Sequence, residues 1–180
     1  TLIGSSTRTS AEALTVPLKE EDLEMLLDGL ASNEKHWLRL CVGLVGLFGL
    51  RPSELGELTV DDGKLYVGQT KRNMQTLHKP KAPPRRVIAI DLPSLPNEGQ
   101  RLIAQYDSGI VKFPLAITRA IQRAKEKDEY KEIGDALRQL LQRYWLWQSM
   151  EKRTQGLKVY SLRHGFAWRA HKESENPLTV

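Results

Sequence analysis

The chain of 180 residues is poor in cysteine and has no long hydrophobic run. Its single cysteine, Cys41, cannot form a disulfide within the chain, so we expect a reducing, cytoplasmic setting. The longest apolar run, residues 38–50, is interrupted by Arg39 and is too short to span a bilayer. The first residues also lack the apolar core of a signal peptide. These absences argue against a disulfide-rich secreted protein and against a membrane protein, and they favour a soluble globular domain.

Acidic residues are missing from one long stretch. Between residues 64 and 90 there is no Asp or Glu, although the whole chain has 22 acidic and 27 basic residues. The cations of this stretch are Lys64, Lys71, Arg72, Lys79, Lys81, Arg85 and Arg86. A basic segment without acidic balance is typical of a surface that contacts a phosphate backbone, and a solvated loop is the alternative.

The hydrophobic pattern before residue 50 predicts two helices. Residues 1–16 are rich in Ser and Thr and are interpreted as a linker or tail, so we place one domain in residues 17–180. The first helix is predicted to open at Pro17, with leucines at positions 23, 26, 27 and 30 on its inner face. Ser32 or Asn33 is expected to cap a second helix, which is apolar on nearly every side up to residue 48 and should be central and buried.

Later segments predict more helices and a small sheet. Residues 64–70 and 85–91 favour strands and predict a two-stranded antiparallel hairpin with a long basic connection. Helices are predicted over residues 97–106, 115–127 and 130–152. The last one carries an aromatic cluster that we interpret as core rather than as a base-stacking platform: Tyr144, Trp145 and Trp147. The expected fold class is mainly α with a small antiparallel hairpin, that is, α+β.

An arginine follows directly after the most buried predicted helix. Gly49 fits the end of that helix, and Pro52 with Ser53 starts a short helix that we expect to run through residue 58. Arg51 therefore leaves the core at a fixed place, with Glu54 in range across one turn. A structural ion pair with Glu54 is one interpretation; an arginine oriented by Glu54 toward a phosphate is the other.

A second arginine stands at the predicted start of the last helix. Ser161 is a good N-cap, and apolar residues recur at positions 162, 166 and 170. Arg163 and His164 then fall in the first turn, where unpaired N–H groups and the helix dipole favour an anion. Two such residues indicate a phosphate site. The alternative is an ordinary surface arginine with a histidine at the edge of the core.

Two separated stretches resemble the motifs of one family. Residues 49–55, Gly-Leu-Arg-Pro-Ser-Glu-Leu, resemble the first arginine motif of the tyrosine recombinases, the phage integrase family. Residues 160–164, Tyr-Ser-Leu-Arg-His, resemble its second motif, His-x-x-Arg-His. Between them the family has a lysine on a β-hairpin, a place that falls here at Lys71. Arg51 and Arg163 are 112 positions apart, and the resemblance covers most of the chain.

The resemblance implies an integrase-type catalytic domain for site-specific DNA recombination or integration. A tyrosine would attack the scissile phosphate of double-stranded DNA and form a covalent 3′-phosphotyrosyl intermediate, with neither metal nor cofactor. Arg51 and Arg163 would hold the phosphate oxygens, and Lys71 would protonate the leaving hydroxyl, with Lys79 and Lys81 as alternatives. The DNA backbone would be contacted by five basic residues: Arg72, Lys79, Lys81, Arg85 and Arg86. Prokaryotic cytosol or nucleoid is the implied location.

The sequence departs from the family pattern in two places. Tyr160 replaces the first histidine; it can hydrogen-bond a phosphate oxygen but is a poor proton shuttle near neutral pH, and His164 is read as a supporting donor. No tyrosine follows His164, so we expect the nucleophile to lie beyond this chain, which would be inactive alone.

Residues 176–180 are interpreted as the opening of a further helix. We expect a monomer in solution and an oligomer on DNA for the full-length protein. The alternatives are a non-catalytic DNA-binding module on the same scaffold, and an unrelated helical protein.

Overall fold

The computed structural model describes residues 14–71 and 73–175. Within these ranges the chain is mainly helical with one small antiparallel sheet, which confirms the predicted α+β class. The elements in chain order are α1 (Glu20–Ser32), α2 (His36–Phe48), a 3-10 helix (Pro52–Gly56), β1 (Leu58–Asp61), β2 (Lys64–Val67), β3 (Arg85–Val87), α3 (Glu98–Ser108), α4 (Leu115–Lys127), α5 (Lys131–Gln142), α6 (Trp145–Arg153) and α7 (Ser161–Glu175).

Helix α2 is the centre of the molecule, as predicted. Ten of its 13 residues are buried, and it packs against α1, α3 and α7. Each fully buried leucine in such a helix contributes about 1.5–3 kcal/mol. Its arginine, Arg39, is satisfied internally, since the guanidinium donates to the Leu27 carbonyl (3.1 Å) and to the buried Glu98 carboxylate. Burial raises the pKa of the Cys41 thiol, which therefore stays protonated.

Helix α1 buries the four predicted leucines, but two predictions about its ends are wrong. The helix begins at Glu20 and not at Pro17, because the preceding backbone is extended and the Leu18 N–H donates to the Ser161 carbonyl (2.9 Å). Ser32 ends α1, and Lys35 occupies the N-cap position of α2 without a side-chain cap. Asn33 instead donates to the Gly29 carbonyl (2.7 Å).

The sheet has three strands in the order β1-β2-β3, one more than predicted. The β2–β3 pairing confirms the predicted hairpin, with Leu65 opposite Val87 and Val67 opposite Arg85. The extra strand, β1, was not predicted; it begins at Leu58, the last residue that we had assigned to the short helix, which stops at Gly56. The strands are also shorter than predicted, since the Ile90 N–H leaves the sheet and donates to the Leu47 carbonyl of α2 (2.8 Å).

The long helix predicted over residues 130–152 is two helices, α5 and α6. The break falls at Tyr144, whose backbone is extended and whose ring is buried. Leu141, Tyr144 and Trp147 are buried in the core on both sides of this break. The aromatic-core interpretation is therefore correct for Tyr144 and Trp147, whereas Trp145 is exposed.

Three sequence-based predictions fall on residues outside the described ranges. These are most of the tail at residues 1–16, the DNA contact assigned to Arg72, and the helix opening at residues 176–180. In the described ranges, no helix has both the length and the apolar character needed to cross a bilayer.

Candidate functional site

Arg51 is held at its base by the buried carboxylate of Glu54. The Arg51 N–H donates to Glu54 Oε2 (2.8 Å), and the Arg51 guanidinium lies 3.5 Å from Glu54 Oε1. This is the ion pair that the sequence predicted, formed across the 3-10 helix that Pro52 starts. The Arg51 side chain is still 38% exposed, so its guanidinium can also reach solvent or a ligand.

Arg85 shares the same carboxylate. Its Nη2 lies 2.8 Å from Glu54 Oε1, which makes Glu54 a common counter-ion for two guanidinium groups. The sequence predicted Arg85 only as a contact to the DNA backbone, and nothing in the local pattern linked it to Glu54, 31 positions earlier. Arg86, the next residue, stands opposite Tyr66 on the sheet and is exposed. Among the described residues Arg86 makes no ion pair.

Arg51 and Lys71 line one cleft of about 310 Å³. The 3-10 helix and the end of β2 meet beside it, where the Ser53 and Thr70 hydroxyls are 3.3 Å apart. Lys71 itself is exposed, and its carbonyl accepts from Gln69 (3.2 Å). The opposite wall comes from the α4–α5 turn, residues 128–131, which sequence reasoning had not assigned to the site. The structure therefore brings two of the predicted catalytic residues together.

Lys81 attaches the β2–β3 connection to that turn. Its Nζ lies 3.0 Å from Asp128 Oδ1 and 5.3 Å from the centre of the Tyr130 ring. The hydrogen bond to Asp128 raises the pKa of Lys81 above the ordinary lysine value. Lys81 therefore anchors the connection to the turn, whereas Lys71 lines the cleft and is exposed. The third candidate, Lys79, lies in the same connection and is exposed.

Tyr160, Arg163 and His164 form a second cluster at the start of α7. Arg163 Nη1 donates to the Tyr160 hydroxyl (3.0 Å), and its guanidinium lies 5.8 Å from the centre of the Tyr160 ring. The His164 ring lies 5.5 Å from the same ring, and both His164 and Tyr160 are exposed. His164 is thus not at the edge of the core. Arg163 is partly buried and has one partner that orients it.

The N-cap role predicted for Ser161 is wrong. Ser161 is the first residue of α7, it is buried, and its hydroxyl accepts from the Lys158 N–H (2.9 Å) instead of from the first helical turn. The predicted inner stripe is also displaced. The buried residues of α7 are Ser161, Leu162, Gly165 and Arg169, while Phe166 and Ala170 are only partly buried.

The two clusters belong to elements that touch. Gly49, in the left-handed region (φ +68°), faces the Phe166 ring, and a Cβ at this position would collide with it. Leu162, in the first turn of α7, lies at ordinary van der Waals distance from Gly46 of α2. Arg163 lies between these contact residues in sequence, and Arg51 follows Gly49 by two positions. In the described part of the chain, Arg163 does not line the cleft of Arg51 and Lys71.

Arg169 is a residue of this region that sequence reasoning missed. It is only 6% exposed, and its Nη2 donates to the Gly46 carbonyl of α2 (2.7 Å). Its Nε and Nη1 atoms have no hydrogen-bond partner among the described residues. Burial lowers the pKa of Arg169, while the charges of Glu20 and Glu173 oppose that shift. The four-residue spacing of positions 161, 165 and 169 is the signal that could have placed it on the inner face.

The described residues contain no group of three or more His, Cys, Asp and Glu side chains arranged to hold a metal ion. No protein-family model matches the chain, and neither a curated protein nor a solved structure matches it. A function is therefore inferred from the residues of the chain and their geometry.

Proposed function

We propose that the chain is an integrase-type catalytic domain of a site-specific DNA recombinase, of the tyrosine recombinase kind. The observation that supports this most is the contact between Gly49 and Phe166. It joins the end of α2, which Arg51 follows by three positions, to the first turns of α7, which carry Arg163. Two arginines far apart in sequence thus stand on or next to packed elements, and one of them, Arg51, lines a cleft together with Lys71.

The chemistry of the proposed reaction suits these groups. A phosphodiester under attack gathers negative charge on its non-bridging oxygens, and guanidinium groups stabilise that charge by paired hydrogen bonds. Arg51 and Arg163 each have one partner that fixes part of the side chain, Glu54 and Tyr160, and each guanidinium keeps further N–H groups for the phosphate. Lys71 gives a proton to the 5′ oxygen as its bond to phosphorus breaks, so that it leaves as the 5′ hydroxyl.

None of the tyrosines of residues 1–180 is assigned as the attacking nucleophile. Tyr160 precedes Arg163; its hydroxyl accepts from Arg163 and donates to a phosphate oxygen, with His164 as a supporting donor. The partner is double-stranded DNA, and the reaction needs no cofactor because the phosphotyrosine keeps the bond energy. The chain alone is a monomer, and several copies assemble on the DNA.

Salt dependence of binding to a short DNA duplex tests the proposal. Each lost phosphate contact should reduce the slope of log affinity against log salt by about 0.9. Arg86→Ala is a cleaner variant than Arg85→Ala, because Arg85 is bonded to Glu54 whereas Arg86 is exposed. Arg153→Ala is the matched control, since Arg153 of α6 pairs with Asp22 of α1. Binding that is indifferent to salt, or equal slopes in all variants, would contradict a DNA-binding role.

A DNA-binding module without catalysis is the second candidate. The observation in its favour is that Glu54 neutralises part of the charge of both Arg51 and Arg85, as in a structural ion pair. In that case Arg51→Ala would lower the free energy of unfolding. Its affinity for the duplex would equal that of Arg153→Ala at the same salt concentration.

A further inference from the structure

The carbonyl groups at the end of α2 are capped from three different parts of the chain. The last four carbonyls of a helix have no partner within it. The Val45 carbonyl accepts from the Gly49 N–H (3.1 Å), and the Leu47 carbonyl accepts from the Ile90 N–H (2.8 Å). The Gly46 carbonyl accepts from the guanidinium of Arg169, 123 positions away on α7. A cation at this end of a helix also interacts favourably with the helix dipole.

Capping the Gly46 carbonyl with Arg169 costs free energy of folding, because the guanidinium is buried. It is buried, two of its nitrogen atoms have no hydrogen-bond partner among the described residues, and burial lowers its pKa. The nearby carboxylates of Glu20 and Glu173 act on it only through their charge. Burying a partly unpaired cation is costly, and an apolar side chain of similar length is usually tolerated as well or better. Net stability is therefore a weak reason for an arginine at this position.

We propose that Arg169 is a positioning residue for Arg51. It holds the last turn of α2 against α7, so that Arg51, five positions after Gly46, keeps its place relative to Arg163. The same stretch of α7 also contacts the residue that ends α2, because the Phe166 ring faces Gly49. The centre of that ring lies 5.9 Å from the Arg169 guanidinium carbon. The inference deepens the proposed function and rests on it, since it gives Arg169 a role in setting the phosphate-binding geometry.

The first test measures the order of Arg51 in the protein without DNA. Arg169→Met removes the donor and keeps the length, Arg169→Lys keeps a cationic donor, and Arg153→Met is a matched control that loses a surface ion pair. We expect the ¹⁵N–¹H NMR signal of the Arg51 Nε–Hε group to move toward that of a disordered arginine in Arg169→Met. Arg169→Lys should restore the signal at least in part, and the control should not change it. The midpoint of thermal unfolding should change by less than about 4 °C in Arg169→Met.

The second test is a double-mutant cycle on duplex affinity. Arg169→Met should weaken binding about fivefold when Arg51 is present, and should have no further effect in Arg51→Ala. Equal losses in both backgrounds, or an unchanged Arg51 signal, overturn the proposal. Failure of both Arg169 variants to fold also overturns it, because Arg169 would then serve stability. If Arg51→Ala alone leaves DNA binding intact, the proposed function fails, and the NMR signal still decides whether Arg169 positions Arg51.

Discussion

At the scale of single residues, the carboxylate of Glu54 connects the parts of the candidate site. It is 3% exposed, receives the Arg51 N–H, and contacts the guanidinium groups of Arg51 and Arg85. A buried carboxylate with several donors is stable only while those donors remain. Glu54 thus ties the 3-10 helix to β3 and restricts the directions that Arg51 can take.

Replacing Glu54 with Gln should test this linking role. The variant keeps the shape but removes the charge that two guanidinium groups share, so the free energy of unfolding should fall by about 1–3 kcal/mol. Glu132→Gln is the matched control: its carboxylate pairs with Arg123 on the surface (2.7 Å), and its loss should lower stability much less than the loss of Glu54. Urea denaturation of both variants gives the comparison. Equal losses would show that burial of Glu54 adds nothing.

At the scale of elements, the junction between α2 and α7 decides the geometry. Gly49 ends α2 in the left-handed region and leaves room for the Phe166 ring. The close approach of α7 to the rest of the chain continues at Gly165, where a Cβ would collide with the Leu18 carbonyl. The position of α7, and with it the position of Arg163, therefore depends on two glycines and one aromatic ring.

Gly49→Ala should be much more harmful than an alanine at another left-handed glycine. Gly109 has a similar φ (+72°), but nothing lies within 4 Å of a Cβ added there. Gly109→Ala should cost only the conformational strain, about 1 kcal/mol, whereas Gly49→Ala should cost about 1–3 kcal/mol more because of the collision with Phe166. Thermal or urea unfolding measures both. In a Phe166→Ala background the difference between the two alanine variants should disappear; a difference that persists would contradict the packing argument.

Much of this junction could be predicted from sequence, and the rest could not. The apolar run of α2, its end at Gly49 and the pairing of Arg51 with Glu54 follow from local rules, because the interacting residues are at most one turn apart. The bond between Arg85 and Glu54, the cap that Arg169 provides and the break at Tyr144 depend on distant parts of the chain. Ser161 shows the same limit. Its hydroxyl was predicted to cap the first turn of α7, but it accepts a hydrogen bond from the Lys158 N–H instead.

At the scale of the whole molecule, the stretch without acidic residues, 64–90, contributes one wall of the cleft that Arg51 lines. The connection between β2 and β3 carries Lys71 into the cleft and is attached to the α4–α5 turn by Lys81 and Asp128. Because this hydrogen bond raises the pKa of Lys81, the pair is intact at neutral pH and is lost only as the pH rises above the ordinary range of lysine. The wall is therefore held at the pH at which the protein would bind DNA.

Lys81→Met should release this wall without unfolding the protein. Exposed ion pairs contribute about 1 kcal/mol or less, so global stability should hardly change. Limited proteolysis should cut the connection faster in Lys81→Met than in the parent protein, with Arg138→Met, which loses an exposed pair with Asp135, as the control. A cleavage rate equal to that of the parent protein would show that the Lys81 contact does not hold the connection.

The central claim is that Arg51 and Arg163 act on one phosphate. The most direct measurement is a double-mutant cycle of Arg51→Ala and Arg163→Ala on affinity for a short DNA duplex, with Arg51→Ala and Arg153→Ala as the control cycle. If both arginines hold the same phosphate, the double variant should lose less affinity than the two single losses combined, by about threefold or more, while the control cycle is additive. Additive losses for Arg51 and Arg163, or no loss from either, would contradict the account.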